Sequence, residues 1–129
     1  MKLDSLDHLV LTVKNIEASI AFYMEVLGMK ALTFGPGRKA LAFCSQKINL
    51  HAQGCEFAPK ALQPTPGSAD LCFTSAVPLS DVLAHMASHG GTVIEGPIQR
   101  TGATGPILSV YLRDPDGNLI EIANRVSAT

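Results

Sequence analysis

Three ionisable residues each interrupt a strand-like run of aliphatic residues. His8, His51 and Glu121 lie in the runs DHLVLTV, INLHA and LIEIA. Because side chains alternate between the two faces of a strand, each of them points away from its aliphatic neighbours. Two imidazoles and a carboxylate facing one cavity suit a divalent metal ion with positions left for water or substrate. A single such residue is more often a solvated side chain, but the shared pattern favours a metal-dependent enzyme.

The composition excludes several classes of partner. The 129 residues, 47% hydrophobic and 16% charged, predict one globular domain with a substantial core. A net charge of −1 without a Lys/Arg cluster disfavours nucleic acid and anionic membranes. Apolar runs fall short of the roughly 20 residues of a membrane span, and the opening MKLD lacks the pattern of a secretory signal. We therefore expect a cytoplasmic protein that binds small molecules.

The three cysteines predict no disulfide framework. Their count is odd and they form no C-x-x-C pair. Cys44 and Cys72 are predicted to be small buried strand residues, whereas Cys55 is predicted to lie in a loop.

The chain has the pattern of an internal repeat, which decides which strands are expected to be neighbours. The segment HLVLT at residues 8–12 corresponds to DLCFT at residues 70–74, an offset of 62. This offset maps His8 onto Asp70. An offset of 70 maps His51 onto Glu121, so we expect four equivalent positions to converge on one site.

Each copy is predicted to contain a strand, a helix and three further strands. Asn15 and Ser80 are candidate N-caps, and Gly28 and Gly90 suit the left-handed position after each helix. The predicted helices cover about 15–27 and 79–89, and the predicted strands lie near 6–13, 30–34, 39–44, 47–52, 69–75, 92–95, 107–113 and 118–123.

These elements predict an α+β fold built from two tandem βαβββ units. Together the units are expected to form a curled eight-stranded mixed sheet around a metal cleft, within a single domain over 1–129. The first unit covers about 5–55, a Pro-rich linker about 56–67, and the second unit about 68–125. Open sheet edges favour association, so we expect a homodimer.

Three longer segments resemble the vicinal oxygen chelate superfamily, which includes glyoxalase I, fosfomycin-resistance thiol transferases and extradiol dioxygenases. They are DHLVLTV at 7–13, FYMEVLGM at 22–29 and YLRDPDGNLIE at 111–121. The resemblance covers nearly the whole chain. Its nearest subgroup is that of uncharacterised glyoxalase-domain or "virulence-protein" relatives, which share the pattern G-P-[IV]-x-R-T-G-A-x-G-P-I-x-S-x-Y.

The resemblance implies one divalent metal ion held by His8, His51 and Glu121. Zn, Ni, Mn, Fe and Co all accept two nitrogen ligands and one oxygen ligand, so the metal stays open. Asp70 stands where glyoxalase I has its second histidine, and His51 stands where bacterial glyoxalase I carries a glutamate. Glu121 or Asp70 is then the candidate catalytic base, and Asp70 is alternatively a fourth ligand.

Candidate substrate-binding residues lie near the end of the chain. Ser109 and Tyr111 match the Ser-x-Tyr with which fosfomycin-resistance proteins hold the phosphonate. Arg100, in a Gly/Thr-rich loop, is either a solvated cation or an anion clamp. Several other polar residues are expected to have structural roles only: Tyr23 in the core, Asp114 and Asp116 in a turn, and His85 and His89 on a solvated helix face.

Three functions compete at this point. The leading one is a metal-dependent enzyme of the lactoylglutathione lyase type that acts on a small oxygen-chelating substrate by lyase or isomerase chemistry. The second is a metal-dependent thiol transferase or dioxygenase on the same fold. The third is a non-catalytic resistance module that binds small molecules, as in bleomycin-sequestering relatives.

Overall fold

The computed structural model describes residues 1–126, which contain eight strands and two helices. The chain divides into two compact units, one of Met1–Gly67 and one that begins at Ser68. The elements of the first unit are β1 (His8–Val13), α1 (Ile16–Glu25), β2 (Lys30–Phe34), β3 (Arg38–Phe43) and β4 (Gln46–Ala52). Those of the second are β5 (Asp70–Thr74), α2 (Leu79–Ser88), β6 (Glu95–Gly102), β7 (Gly105–Arg113) and β8 (Leu119–Arg125).

Each unit contains a four-stranded mixed sheet with the same strand order. The first sheet runs β1-β4-β3-β2 and the second runs β5-β8-β7-β6, with the first two strands of each sheet parallel. The α+β fold of two tandem βαβββ units is therefore confirmed. The eight strands belong to two separate four-stranded sheets in the described residues, whereas the sequence predicted one eight-stranded sheet.

One face of the first sheet is the apolar core of its unit. Val13, Leu41 and Ile48 are completely buried, and α1 packs on β2, β3 and β4 with Tyr23 also completely buried. The alternation predicted from the sequence therefore holds, because Ile48 lies on the helix side while His51 lies on the other face. The predicted core role of Tyr23 is confirmed.

The two helices begin in different ways. The Asn15 side chain accepts a hydrogen bond from the Ala18 amide at 2.9 Å, as an N-cap does, so this prediction is confirmed. The predicted Ser80 cap is wrong, because α2 begins at Leu79. The Leu79 amide donates instead to Asn124 Oδ1 at 2.9 Å, so a residue of β8 caps the helix.

The sixth strand was predicted in the wrong place. A strand was expected near 92–95, followed by a Gly/Thr loop that contained Arg100, but β6 runs from Glu95 to Gly102. The Gly-rich composition of residues 100–106 had indicated a loop. As the edge strand of its sheet, β6 tolerates proline, and its pairing with β7 shifts register between Glu95 and Ile98. Arg100 is therefore a strand residue with a fixed direction.

Two of the cysteine predictions are wrong. Cys44 lies in the turn between β3 and β4 with a positive φ of 48°, and both Cys44 and Cys72 are exposed. Cys72 is in β5, but it lies on the sheet face that the helix does not cover.

The two helices of the described chain, residues 1–126, are too short to cross a membrane.

The strand registers correct the predicted equivalence of His51 and Glu121. His8 pairs with Lys47 in the first sheet, and Asp70 pairs with Leu119 in the second. If His8 corresponds to Asp70, their strand partners Lys47 and Leu119 also correspond. Two residues further along β4 and β8, Asn49 is therefore the equivalent of Glu121. His51 instead corresponds to Ala123, which was not apparent because both strands read as short aliphatic runs.

Candidate active site

The open face of the second sheet brings together several of the predicted site residues. Glu121 on β8 pairs with Tyr111 on β7 and with Cys72 on β5, so the three side chains share one face. A cavity of about 350 Å³ lies on this face. Its lining residues are Cys72, Thr74, Arg100, Thr101, Gly102, Ala103, Ile107, Tyr111, Glu121 and Arg125.

The Glu121 carboxylate is held by neighbouring donors. The Ser109 hydroxyl donates to Oε2 at 2.5 Å, a short hydrogen bond of the charge-assisted kind. Ser109 is completely buried and is not a lining residue of this cavity, so it is placed to position Glu121. The predicted contact of Ser109 with substrate stays a prediction. Partial burial and the adjacent Glu121 carboxylate raise the pKa of the Cys72 thiol to about 11, which keeps it a protonated donor to Glu121 at neutral pH.

Arg100 is fixed against the tyrosine of the same face. Its Nε donates to the Tyr111 hydroxyl at 3.0 Å, and its Nη2 lies 3.4 Å from a Glu95 carboxylate oxygen. The hydrogen bond to Tyr111 raises the pKa of Arg100 above its already high value. Arg100 is held in a fixed position at the cavity wall. This favours the role of an anion clamp over that of a freely solvated cation.

Arg125 is a cavity residue that the sequence analysis missed. It lies four residues after Glu121 on β8 and therefore shares its face. A side-chain carbon added at Gly102 would lie 3.2 Å from Arg125 Nη1, so the guanidinium extends over the turn between β6 and β7. Strand parity could have identified Arg125. The strand was predicted to end at 123, which left Arg125 outside it.

The surroundings of His8 suit metal binding. Its Nδ1 lies 2.8 Å from a carboxylate oxygen of Asp7, and the residue is exposed. A carboxylate at Nδ1 fixes the tautomer that leaves the lone pair of Nε2 free, which is the arrangement found behind metal-bound histidines.

The surroundings of His51 do not suit metal binding. It is 4% exposed, and its Nε2 lies 3.4 Å from Arg38 Nη2. Burial and then the charge of Arg38 lower the pKa of His51, so the ring is a neutral hydrogen-bond acceptor. Because the guanidinium already points at this nitrogen, a divalent cation there would meet a fixed positive charge.

The described residues do not assemble the predicted metal triplet. Among residues 1–126 no group of three or more His, Cys, Asp or Glu side chains is placed to hold a metal ion. His8 and His51 share one face of the first sheet, but four residues separate them along the parallel pair β1 and β4. Asp70 is exposed on the same face of the second sheet as Glu121. The metal set therefore remains a prediction.

The remaining polar candidates have structural surroundings. Asp114 Oδ1 accepts hydrogen bonds from the Asp116 and Asn118 amides at 2.9 Å, as expected for a turn. The rings of His85 and His89 stack 4.1 Å apart on the exposed side of α2.

Comparison with known proteins decides the family. The model of the "Glyoxalase/Bleomycin resistance protein/Dioxygenase superfamily" matches residues 5–122. The chain belongs to this superfamily. It is 59% identical over 126 residues to the "Virulence protein STM3117" of Salmonella typhimurium, covering 98% of this chain and 88% of the relative. The predicted resemblance to the vicinal oxygen chelate superfamily and its virulence-protein subgroup is thus confirmed.

Further similar proteins are in line with this assignment. The "Glyoxalase domain-containing protein RDO1" of Mycosarcoma maydis is 58% identical over 120 residues, covering 93% of this chain and 68% of the relative. The solved structure of an integron cassette protein from the mobile metagenome of V. cholerae superposes with a TM-score of 0.96 at 56% identity, covering 98% of each chain. The solved structure of the Salmonella protein gives the same TM-score and covers 98% of this chain and 100% of its own.

Proposed function

We propose that this superfamily member is a divalent-metal-dependent enzyme of the glyoxalase type, which acts by lyase or isomerase chemistry on a small oxygen-chelating substrate. The observation that carries the proposal is the Glu121 carboxylate, held by Ser109 on the open face and lining a cavity of about 350 Å³. A metal ion such as Zn, Ni, Mn, Fe or Co, when bound, supplies Lewis-acid polarisation of a substrate oxygen.

We propose His8, Asp70 and Glu121 as the metal ligands, and we leave His51 out. The Asp7 carboxylate prepares the His8 ring for ligation, and Asp70 and Glu121 share a face on the neighbouring strands β5 and β8. One nitrogen and two carboxylate oxygens suit these metals. His8 belongs to the first sequence unit, and Asp70 and Glu121 belong to the second. We propose that, in a homodimer, one chain provides His8 and the other provides Asp70 and Glu121.

The chain's own residues favour a substrate with an anionic group. Arg100 and Arg125 line the cavity, and Glu121 is the acidic residue that lines it with them. If Glu121 binds a cation, the two guanidinium groups are left to attract a carboxylate or phosphoryl group. Tyr111 holds Arg100 in position and offers its hydroxyl as a further hydrogen-bond partner. Asp70 or Glu121 would take a proton from the substrate carbon or oxygen.

Metal content and titration test the proposal. The parent and the H8A, D70A, E121A, H51A and H85A variants would be purified without added metal, analysed for elements, and titrated calorimetrically with Mn²⁺, Co²⁺, Ni²⁺ and Zn²⁺. We expect one ion per chain in the parent, loss of at least about tenfold in affinity in the first three variants, and little change in H51A and H85A.

Two outcomes would contradict the proposal in different ways. If the parent binds none of the four ions, the metal-dependent enzyme is wrong and a binding module replaces it. If H51A loses the metal while D70A retains it, the function survives, but the ligands are those first predicted from the sequence.

A further inference from the structure

An irregularity in the edge strand β6 turns an acidic residue toward the Arg100 guanidinium. Glu95 and Arg100 are five residues apart, so on a regular strand their side chains would point to opposite faces. The pairing with β7 advances three residues on β6, from Glu95 to Ile98, but only two on β7, from Tyr111 to Ser109. The extra residue forms a bulge, which brings Glu95 and Arg100 to the same open face of the second sheet.

Gly96 allows this bulge to form. Its φ is 104°, a backbone conformation that residues with a side chain rarely adopt. A Cβ atom at this position would overlap the Ser109 carbonyl oxygen and lie 2.9 Å from the Val110 Cα atom. Any other residue would therefore push β6 away from β7. The close approach of the two backbones at Gly96 fixes the direction in which Glu95 points.

Glu95 is the counter-ion of Arg100. Its Oε1 lies 3.4 Å from Arg100 Nη2, while Arg100 Nε donates to the Tyr111 hydroxyl at 3.0 Å. Over residues 1–126, Arg100 and Glu95 form salt bridges only with each other. Their side chains are 39% and 56% exposed, and a long ion pair of this exposure is weak. The Glu95 carboxylate can therefore be displaced by another anion.

Glu95 lies at the nitrogen that an incoming anion needs. A carboxylate or phosphoryl group binds arginine most strongly through two parallel N–H groups. Tyr111 takes the Nε donor, which leaves the edge formed by Nη1 and Nη2, and Glu95 lies at Nη2. An anion that binds this edge with two oxygens has to displace the Glu95 carboxylate.

From this geometry we propose that Glu95 is a specificity-determining residue, which competes with incoming anions for Arg100. The inference rests on the proposed function, in which Arg100 holds the anionic group of the substrate. A free anion loses affinity to this competition. A substrate that is also bound elsewhere in the site presents its anionic group at a high effective concentration and displaces Glu95. Glu95 thus selects molecules with a second binding group over free phosphate and simple carboxylates.

An NMR titration with inorganic phosphate tests this proposal. The Nε–H signal of Arg100, assigned by its loss in R100Q, reports binding directly at the guanidinium. The solutions contain EDTA, so that no divalent ion contributes, and their ionic strength is held constant, so that screening does not change. We expect E95Q to bind phosphate about two- to fivefold more tightly than the parent, which is the effect of removing a weak, exposed ion pair.

Two further variants separate contact from net charge. E95D keeps the charge but shortens the side chain by one methylene group, which withdraws the carboxylate from Nη2, so E95D should also bind phosphate more tightly than the parent. D81N removes the same charge as E95Q, but from the exposed first turn of α2. D81N should change the affinity by less than about 1.5-fold. Thermal unfolding of each variant checks that the fold is retained.

Three results would overturn the proposal. The first is an affinity of E95Q equal to that of the parent. The second is a gain in D81N as large as that in E95Q, or no gain in E95D, because either would indicate an effect of charge without contact. The third is no response of the Arg100 signal to phosphate in the parent and in E95Q, which would also remove the anion clamp from the proposed function. Metal content is measured separately, so the metal-dependent part of that function is tested independently.

Discussion

The burial of His51 makes the stability of the protein depend on pH. Burial and the charge of Arg38 lower the pKa of His51, so the folded protein resists its protonation more than the unfolded chain does. Below the ordinary histidine pKa of 6.5 the unfolded state therefore binds more protons, and stability falls as pH falls. Above 6.5 this contribution is constant.

We expect the free energy of unfolding in urea to decrease between about pH 6.5 and 5, and to decrease less in H51Q. H85Q is the matched control, because it removes an exposed histidine on α2. An identical pH profile in H51Q and the parent would show that His51 titrates normally in the folded protein.

The hydrogen bond from Ser109 makes a second prediction at the scale of one residue. If Glu121 is a metal ligand as proposed, S109A leaves one carboxylate oxygen without its donor and loosens the ligand. Loss of such an outer partner lowers metal affinity about tenfold. Calorimetric titration measures this effect, and T101A, at a lining residue on the neighbouring strand, serves as the control. Unchanged affinity in S109A would show that Ser109 does not position the ligand.

At the scale of the elements, the start of α2 depends on a residue of β8. Asn124 accepts from the Leu79 amide and donates to the carbonyl oxygens of Ser75 and Val77 at 3.0 and 2.8 Å. One side chain thus fixes both the first turn of the helix and the segment that leads into it. Strand β8 contributes Glu121 and Arg125 on one face while Asn124 serves the helix on the other.

We expect N124A to lower the free energy of unfolding by about 1–3 kcal/mol, because it removes the cap and leaves partners unsatisfied. N124D keeps the acceptor for Leu79 but places a carboxylate oxygen against the carbonyl oxygens of Ser75 and Val77, so its loss should be at least that of N124A. S80A, at the residue first expected to cap the helix, should change stability by less than about 0.5 kcal/mol. Urea denaturation of the three variants tests this ranking, and a larger loss in S80A than in N124A would contradict it.

At the scale of the whole molecule, we predict a homodimer with metal sites shared between chains. Strands β1 and β5 each lie at an edge of their sheet, and exposed edges of this kind are usually paired or covered. Sedimentation at micromolar concentration should therefore give twice the chain mass of 13.6 kDa. A monomer at this concentration would contradict the prediction.

Mixing two variants that have each lost metal binding tests whether the metal site is shared between chains. If His8 of one chain and Glu121 of the other bind one ion, a heterodimer of H8A and E121A contains one intact site and one doubly altered site. After refolding together, the mixture should then regain about half a metal ion per heterodimer chain. If both ligands come from the same chain, every site in the heterodimer stays broken and no metal binding returns.

Sequence by itself determined the features that depend on neighbours along the chain. Asn15 caps its helix through an amide three residues away, and Gly28 takes its left-handed φ of 69° at the end of that helix. Strand alternation placed Glu121 on the open face for the same reason, since the period of two is a local property of extended backbone. The superfamily motifs are likewise contiguous strings, so the fold could be predicted from them.

Only the tertiary structure decided the features that depend on partners distant in sequence. The register of β4 on β1 made Asn49, not His51, the equivalent of Glu121, and the fold brought Arg38 to the imidazole. In the same way Asn124 replaced Ser80 as a cap across 45 residues of chain. Register and contact between separate strands are set by the packing of whole faces, and short aliphatic runs pair nearly as well when shifted by two residues.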